Sequence, residues 1–343
     1  MTRLVRLAVV AALTAGVLTG CGSDGRPPAI GTGVPSATAV QAEPPLPPNP
    51  LAGKVFYVDP VNPASRQAAK WDAEKRTADA QQLRKIGDRA VAHWLTAGTD
   101  ATKEVDGLVT RAAAAGQLPV LVAYNIPGRD CGSFSAGGAA TPDAYRAWIR
   151  TVAAGLNGRP AVVVVEPDAV PHIVDGCGGD EEARYALLRD AVSTLKSSPN
   201  AVVYLDAGHP AWVTDTGRLA VALRRAGADA ADGFSLNVSN FIPTADNFAY
   251  GDRLSTALGG KLYVVDTSRN GAGPATVADG APGWCNPRGR MLGQPPTVDT
   301  GHPRAAALLW VKRPGESDGA CRPGEPAAGR WWPEYALELA RRS

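Results

Sequence analysis

The sequence has few histidines and no closely spaced cysteines. Its four histidines are scattered at 93, 172, 209 and 302, and no two of its five cysteines stand at zinc-ligand spacing. A zinc site is therefore a poor reading, and no H-E-x-x-H helix offers another metal centre. Glycine-rich phosphate cradles are missing too, so no motif calls for a nucleotide cofactor. Formal net charge is only +2, with no basic cluster interleaved with aromatics, which argues against nucleic acid as a partner. The apolar run from Leu7 to Leu18 is too short to cross a bilayer.

What is present begins with that run. Arg3 and Arg6 precede it and Leu18-Thr19-Gly20-Cys21 closes it, the layout of an export signal. The closing four residues resemble the bacterial lipobox, which implies a signal peptide over 1–20, cleavage before Cys21 and a lipid on its sulfur. Between Arg26 and Pro50 there are eight prolines and almost no large apolar side chain. Such a stretch cannot bury enough surface to fold, and residues 21–50 read as an extended tether to a membrane, outside the cell. Residues 51–343 suit one large α/β domain. In an exported setting Cys131, Cys177, Cys285 and Cys321 are expected to form two disulfides. Three pairings are open, and sequence order favours Cys131 with Cys177 and Cys285 with Cys321, which close the shorter loops.

Apolar, β-branched runs recur at 55–58, 90–95, 119–124, 162–165, 201–205, 233–236, 262–265 and 307–311, eight candidate strands. Helical patterns fall between most of them, at 77–86, 103–115, 142–156, 181–196, 216–225 and 246–258. This alternation predicts a parallel sheet with right-handed crossovers, a (β/α) barrel first and an open doubly wound sheet second. The most informative strand is VVVVEPD, from Val162 to Asp168. An apolar run without alternation is buried on both faces. Pro167 ends it, biases Glu166 toward extended backbone and presents Asp168 just beyond. Asp168 there either transfers protons or caps a helix.

In a parallel barrel the residues that follow each strand gather at one end. Those residues include Tyr124 and Asp130, Glu166 and Asp168, Asp206 with His209 and Trp212, Asp266 and Arg269, and Glu316 and Asp318 beyond Lys312. Carboxylates after five strands with aromatics beside them suggest a sugar site, where indole faces stack on rings and acids bind hydroxyls or move protons.

The strings VAYNIPGRDCGSFSAGG at Val122 and VVVVEPDAVP at Val162 resemble the two signatures of glycoside hydrolase family 6, the inverting β-1,4-glucanases. DAGHPAW at Asp206, NVSNF at Asn237, DTSRNGAGP at Asp266, GWCNPRGR at Gly283 and WVKRPGESDG at Trp310 agree in order. The resemblance covers the whole stretch from Leu51 onward. It implies a distorted TIM-like barrel of parallel strands and the cleavage of cellulose-like chains with inversion. By matched motif, Asp168 takes the role of general acid and Asp130 holds its proton affinity up. Tyr124 crowds the distorted sugar ring, Asp206 organises the site, and Asp318 is the position proposed as base. Trp94, His209, Trp212, Asn237, Trp284, Lys312 and Glu316 match places that contact glucosyl units. Both cysteine pairs coincide with the family's disulfides. The family's exo-acting members carry longer loops that roof a tunnel, and the segment from Gly271 to Trp284 is short, so endo action in an open cleft is expected.

Gly315-Glu316-Ser317-Asp318-Gly319 formally matches the serine-hydrolase elbow. No helix pattern follows it and no histidine lies downstream, since His302 is the last. The rival from another class is a lipid-anchored glucan-binding protein that retains the site without turnover.

Overall fold

The computed structural model describes residues 46–343, apart from 99, 178 and 277–280. The expected signal peptide, the expected lipidation site Cys21 and most of the expected tether thus lie outside the described residues. The packed part starts a little before residue 51: the Asn49 side chain donates to the Ala306 carbonyl at 2.9 Å, and Leu51 is fully buried.

Seven parallel strands follow one another in simple order: β1 (His93–Leu95), β2 (Val120–Ala123), β3 (Ala161–Val165), β4 (Ala201–Asp206), β5 (Gly233–Leu236), β6 (Leu262–Asp266) and β7 (Ala305–Leu309). The sheet curls until its edges meet. The Ala92 N–H donates to the Trp310 carbonyl at 2.9 Å, and the Trp94 indole donates to the Val311 carbonyl at 2.8 Å. Arg313 Nε returns a bond to the Ala92 carbonyl at 3.0 Å. A distorted barrel of parallel strands results, as the alternation predicts.

The expected eighth strand over 55–58 is reduced to a single bridge between Phe56 and Leu118. Val55 there is 61% exposed, and Pro60 and Pro63 end the extended stretch, so only Phe56 and Tyr57 are drawn inward. The candidate strand over 90–95 shortens to its last three residues because Ala92 pairs with the far edge of the sheet instead.

Burial on both faces explains the apolar runs. In β2 and β3, Val120, Val122, Val162 and Val164 point into the barrel with Phe56, Tyr204 and Leu309. Leu121, Ala123, Val163 and Val165 face the helices. Those helices are α1 (Pro63–Ala73), α2 (Thr77–Gly87), α3 (Ala101–Ala114), α4 (Pro142–Leu156), α5 (Ala169–Val174), α6 (Glu181–Lys196), α7 (Thr216–Arg225), α8 (Thr244–Ala257) and α9 (Pro333–Arg341). A third apolar cluster joins α1, α2 and α9 through Trp71, Leu83, Ile86 and Tyr335 and packs on the buried Trp310.

Candidate active site

The carboxyl ends of the strands collect the acids, and their hydrogen-bond partners sort them into different tasks. Glu166 and Asp266 serve the backbone. Glu166 accepts the N–H groups of Asn125 and Ile126, each at 2.9 Å. Asp266 accepts four: Ser239 at 3.0 Å, Ser268 at 2.9 Å, Val311 at 3.2 Å and Lys312 at 2.9 Å. Each carboxylate therefore ties the loop after its own strand to the loop after a neighbouring one. The extended backbone that Pro167 favours at Glu166 is not adopted: its φ is +47°. The side chain must turn inward to reach the two amides, and that contact outweighs a local preference of about 1–2 kcal/mol.

Asp168 has φ +69° and stands at the N-cap position of α5, yet its side chain makes no capping bond. Capping is thus not what its carboxylate does. It is partly exposed, and burial first, then the Asp206 and Asp130 charges, raise its proton affinity well above the usual carboxylate range. Lys312 opposes this from across the site. Asp206 is buried and accepts the Asp168 N–H at 2.9 Å, the Gly208 N–H at 3.2 Å and the Ser235 hydroxyl at 3.0 Å. Burial raises its proton affinity too. A carboxyl with raised proton affinity beside a second acid is the arrangement a general acid needs.

Asp130 sits in a short 3₁₀ turn, Asp130–Gly132, with φ +55° and accepts the Ser135 N–H at 2.6 Å. Burial raises its proton affinity as well, with Ser135 and Arg129 pulling the other way. Arg129 was not singled out in the sequence, although it directly precedes Asp130. Its guanidinium lies 4.8 Å from the Tyr124 ring centre and donates to the Tyr124 carbonyl at 2.7 Å. Trp94 meets Tyr124 edge to face at 5.1 Å.

Asp318 is the opposite case. Burial alone would raise it, but Arg269 at 2.8 Å and Lys312 at 3.2 Å hold it below the usual range, with the Asn286 N–H at 3.0 Å. It is an anchored anion and intrinsically a weak base. Asn286 was also missed, although it stands in the GWCNPRGR string; its side chain bridges the Gly319 carbonyl and the Asp318 N–H, both at 2.7 Å.

Both expected disulfides are formed: Cys131–Cys177 ties the Asp130 loop to the residues after α5, and Cys285–Cys321 ties the Trp284 loop to the Asp318 loop. By chain entropy each is worth about 4 kcal/mol. Cys285, Cys321 and Glu325 form the one cluster of metal-ligating groups among the described residues, and the disulfide occupies both sulfurs.

The aromatic positions divide. Trp284 is 39% exposed and meets Phe134, 44% exposed, edge to face at 6.0 Å. Phe134 lies so close over Gly319 that a Cβ there would come within 2.5 Å of its ring. Trp212 is half-buried, with its indole N–H on Asp175 and His172 and His209 rings at 5.0 and 6.0 Å. Burial pushes both histidines down to about 4, so they are neutral at pH 7. The Asn237 amide is buried and engaged at both ends, by the Asp266 carbonyl at 2.8 Å and the Ile242 N–H at 3.1 Å. Glu316 is held by Arg313 at 2.7 Å. Within the segment from Gly271 to Trp284, residues 277–280 lie outside the described residues.

A family model described as glycosyl hydrolases family 6 matches residues 51–343. Endoglucanase A of Cellulomonas fimi is 46% identical over 300 residues, covering 86% of this chain and 62% of that protein. Endoglucanase 1 of Streptomyces halstedii is 43% identical, covering 83% and 88%. The chain thus spans under two thirds of the Cellulomonas protein but most of the Streptomyces one. Among solved structures, the endoglucanase Cel6 from Mycobacterium tuberculosis, in complex with a thio-linked methyl cellobiosyl-cellobioside, superposes with a TM-score of 0.80 at 46% identity. It covers 86% of this chain and 99% of that one.

Proposed function

The chain belongs to glycosyl hydrolase family 6, and from that premise we propose that it hydrolyses β-1,4-glucosidic bonds within cellulose-like glucans, with inversion at the anomeric carbon. The observation that carries the reading is Asp168: an acid with raised proton affinity, no capping duty and two carboxylates around it. Asp168 protonates the departing glycosidic oxygen. Asp206 and Asp130 keep that proton in place through repulsion, and Asp206 also fixes the Asp168 backbone. Tyr124, braced by Trp94 and Arg129, supplies the wall that crowds the reacting ring. Trp284 and Trp212 are stacking platforms for flanking sugars, and His209 offers a neutral ring.

Asp318 faces water from the other side of the bond. Its low proton affinity limits it to orienting that water, with Lys312 linking it to the charge balance at Asp168. Glu316, buried and held by Arg313, is assigned to glucosyl hydroxyls on its motif. Asn237 acts through the loops it braces. Endo action is supported by the names of the relatives, four of them bacterial endoglucanases at 42–46% identity. No observation favours the non-catalytic binder.

Export and a lipid on Cys21 complete the proposal, resting on the sequence of residues 1–21. A Cys21→Ala chain released into the medium would support the anchor; one retained on the membrane would remove it. The catalytic assignment is tested with Asp168→Asn on two substrates. Cleavage of cellohexaose should fall by about 10³-fold or more, while a dinitrophenyl cellobioside, whose leaving group needs no proton, loses far less. Equal losses on both would take Asp168 out of the acid role.

A further inference from the structure

Beneath the cleft, two buried charged side chains grip one short stretch of backbone. Glu166 holds the Asn125 and Ile126 N–H groups, and Arg184 of α6 donates through Nη1 to the Pro127 carbonyl at 3.2 Å. Both side chains are almost wholly shielded from solvent. The same stretch is closed from above. The Ala139 N–H donates to the Asn125 carbonyl at 2.8 Å, and Gly138 runs so near that a Cβ there would stand 1.9 Å from the Ile126 carbonyl oxygen. Tyr124 precedes this gripped turn and Asp130 ends it. Asp168 lies two residues after Glu166.

From this geometry we propose that Glu166 is a positioning residue for the reaction. With Arg184, it fixes the turn from Asn125 to Pro127 and so sets where the Tyr124 ring and the Asp130 carboxylate stand relative to Asp168. The proposal rests on the glucanase reading above. Its physical basis is that one rigid group joins the two loops on which the chemistry depends. An apolar residue at 166 would fill the space but leave two buried amides without acceptors. The groups that face the carboxylate are Tyr145 of α4, Arg184 of α6 and Tyr124, with Asp190 of α6 acting on Tyr145. Burial pushes Glu166 up to about 7, against the two amides, Tyr145 and Arg184, which favour the ionised form.

The experiment uses the whole domain and two variants, Glu166→Ala and Glu166→Gln, with hydrogen exchange of the 124–130 amides and steady-state kinetics on cellohexaose. Alanine should speed exchange at Asn125 and Ile126 and lower kcat by roughly 100-fold, the cost of a displacement near 1 Å. KM should stay within about two-fold, because the stacking platforms are untouched. Glutamine keeps one oxygen for both amides, so it should recover most of kcat and most of the protection. A Glu166→Ala protein that melts lower but keeps its kcat well below its melting temperature would overturn the proposal. So would unchanged exchange. Should the alanine protein not fold, Glu166→Met, which fills the space but offers no acceptor, takes its place: faster exchange with a lower kcat than the glutamine variant supports positioning, and wild-type values of both overturn it. If the native protein leaves cellohexaose uncut, the glucanase reading fails, while the exchange measurement still decides whether Glu166 holds the turn.

Discussion

Replacing Asp206 by asparagine tests how the site keeps a proton on Asp168. Asparagine retains an oxygen for the Asp168 N–H at 2.9 Å and the Gly208 N–H at 3.2 Å, both on Oδ2, and its NH2 can donate to the Ser235 hydroxyl that now donates to Oδ1. What it removes is charge. A carboxylate bonded to its neighbour's backbone amide lies roughly 5 Å from that neighbour's own carboxylate. At an effective permittivity near 20 the repulsion is about 3 kcal/mol. Asp168 is partly exposed, so about half of this should survive, equivalent to a change of about one pH unit. The sign follows directly. Removing a negative neighbour makes Asp168 release its proton more easily, so the protonated fraction at pH 7 falls. The assay is kcat/KM on cellohexaose from pH 4 to 9, whose alkaline limb reports the essential acid of the free enzyme. In Asp206→Asn that limb should move to lower pH by about one unit, with little change on the acid side. A uniform loss of rate with the limb unmoved would refute the electrostatic argument and leave Asp206 a purely geometric role.

Three further outcomes are expected. Arg269→Met leaves Asp318 buried with Lys312 alone and should destabilise the fold by about 3–5 kcal/mol, measured by denaturant unfolding. Trp284→Ala should raise KM for cellohexaose several-fold with little change in kcat, as expected for uniform binding; a selective fall in kcat would contradict a platform role. Glu166 has a raised folded-state value of about 7 against an ordinary 4.5, so its contribution is fully present below 4.5 and is lost as pH rises through 7. Relative to Glu166→Gln, the native protein should lose about 3 kcal/mol of stability between pH 5 and 8; a constant difference would mean that the carboxyl is not held up.

Much of this was legible because local signals and packing agree. The helices predicted over 142–156, 181–196 and 216–225 are observed with those bounds. Thr141, Asp180 and Asp215 each accept an N–H from the first turn, which fixes where the helix starts. The strand before Glu166 is equally clear, since Ala161–Val165 is buried on both faces. The misses have local causes. The α5 helix is six residues long, contains Pro171 and is buried almost all round, so it carries no amphipathic period. The α1 and α9 helices open on Pro63 and Pro333, a helix-start signal that went unread. At the site, sequence supplied the acids but not their partners. Glu166 and Asp266 look like Asp168 in a census of strand ends. Apart from Ser268, two residues from Asp266, their amide partners lie some 27 to 46 positions away in the chain, beyond what local pattern records. His172 and Asp175, which brace Trp212, were hidden for the same reason.

The most direct test of the account is proton NMR of products from cellohexaose in the first minutes of reaction. Inverting hydrolysis with Asp168 as acid predicts that the new reducing ends appear as the α-anomer and relax to the equilibrium mixture only later. Initial release of the β-anomer would contradict the mechanism, and the roles given to Asp168 and Asp318 with it.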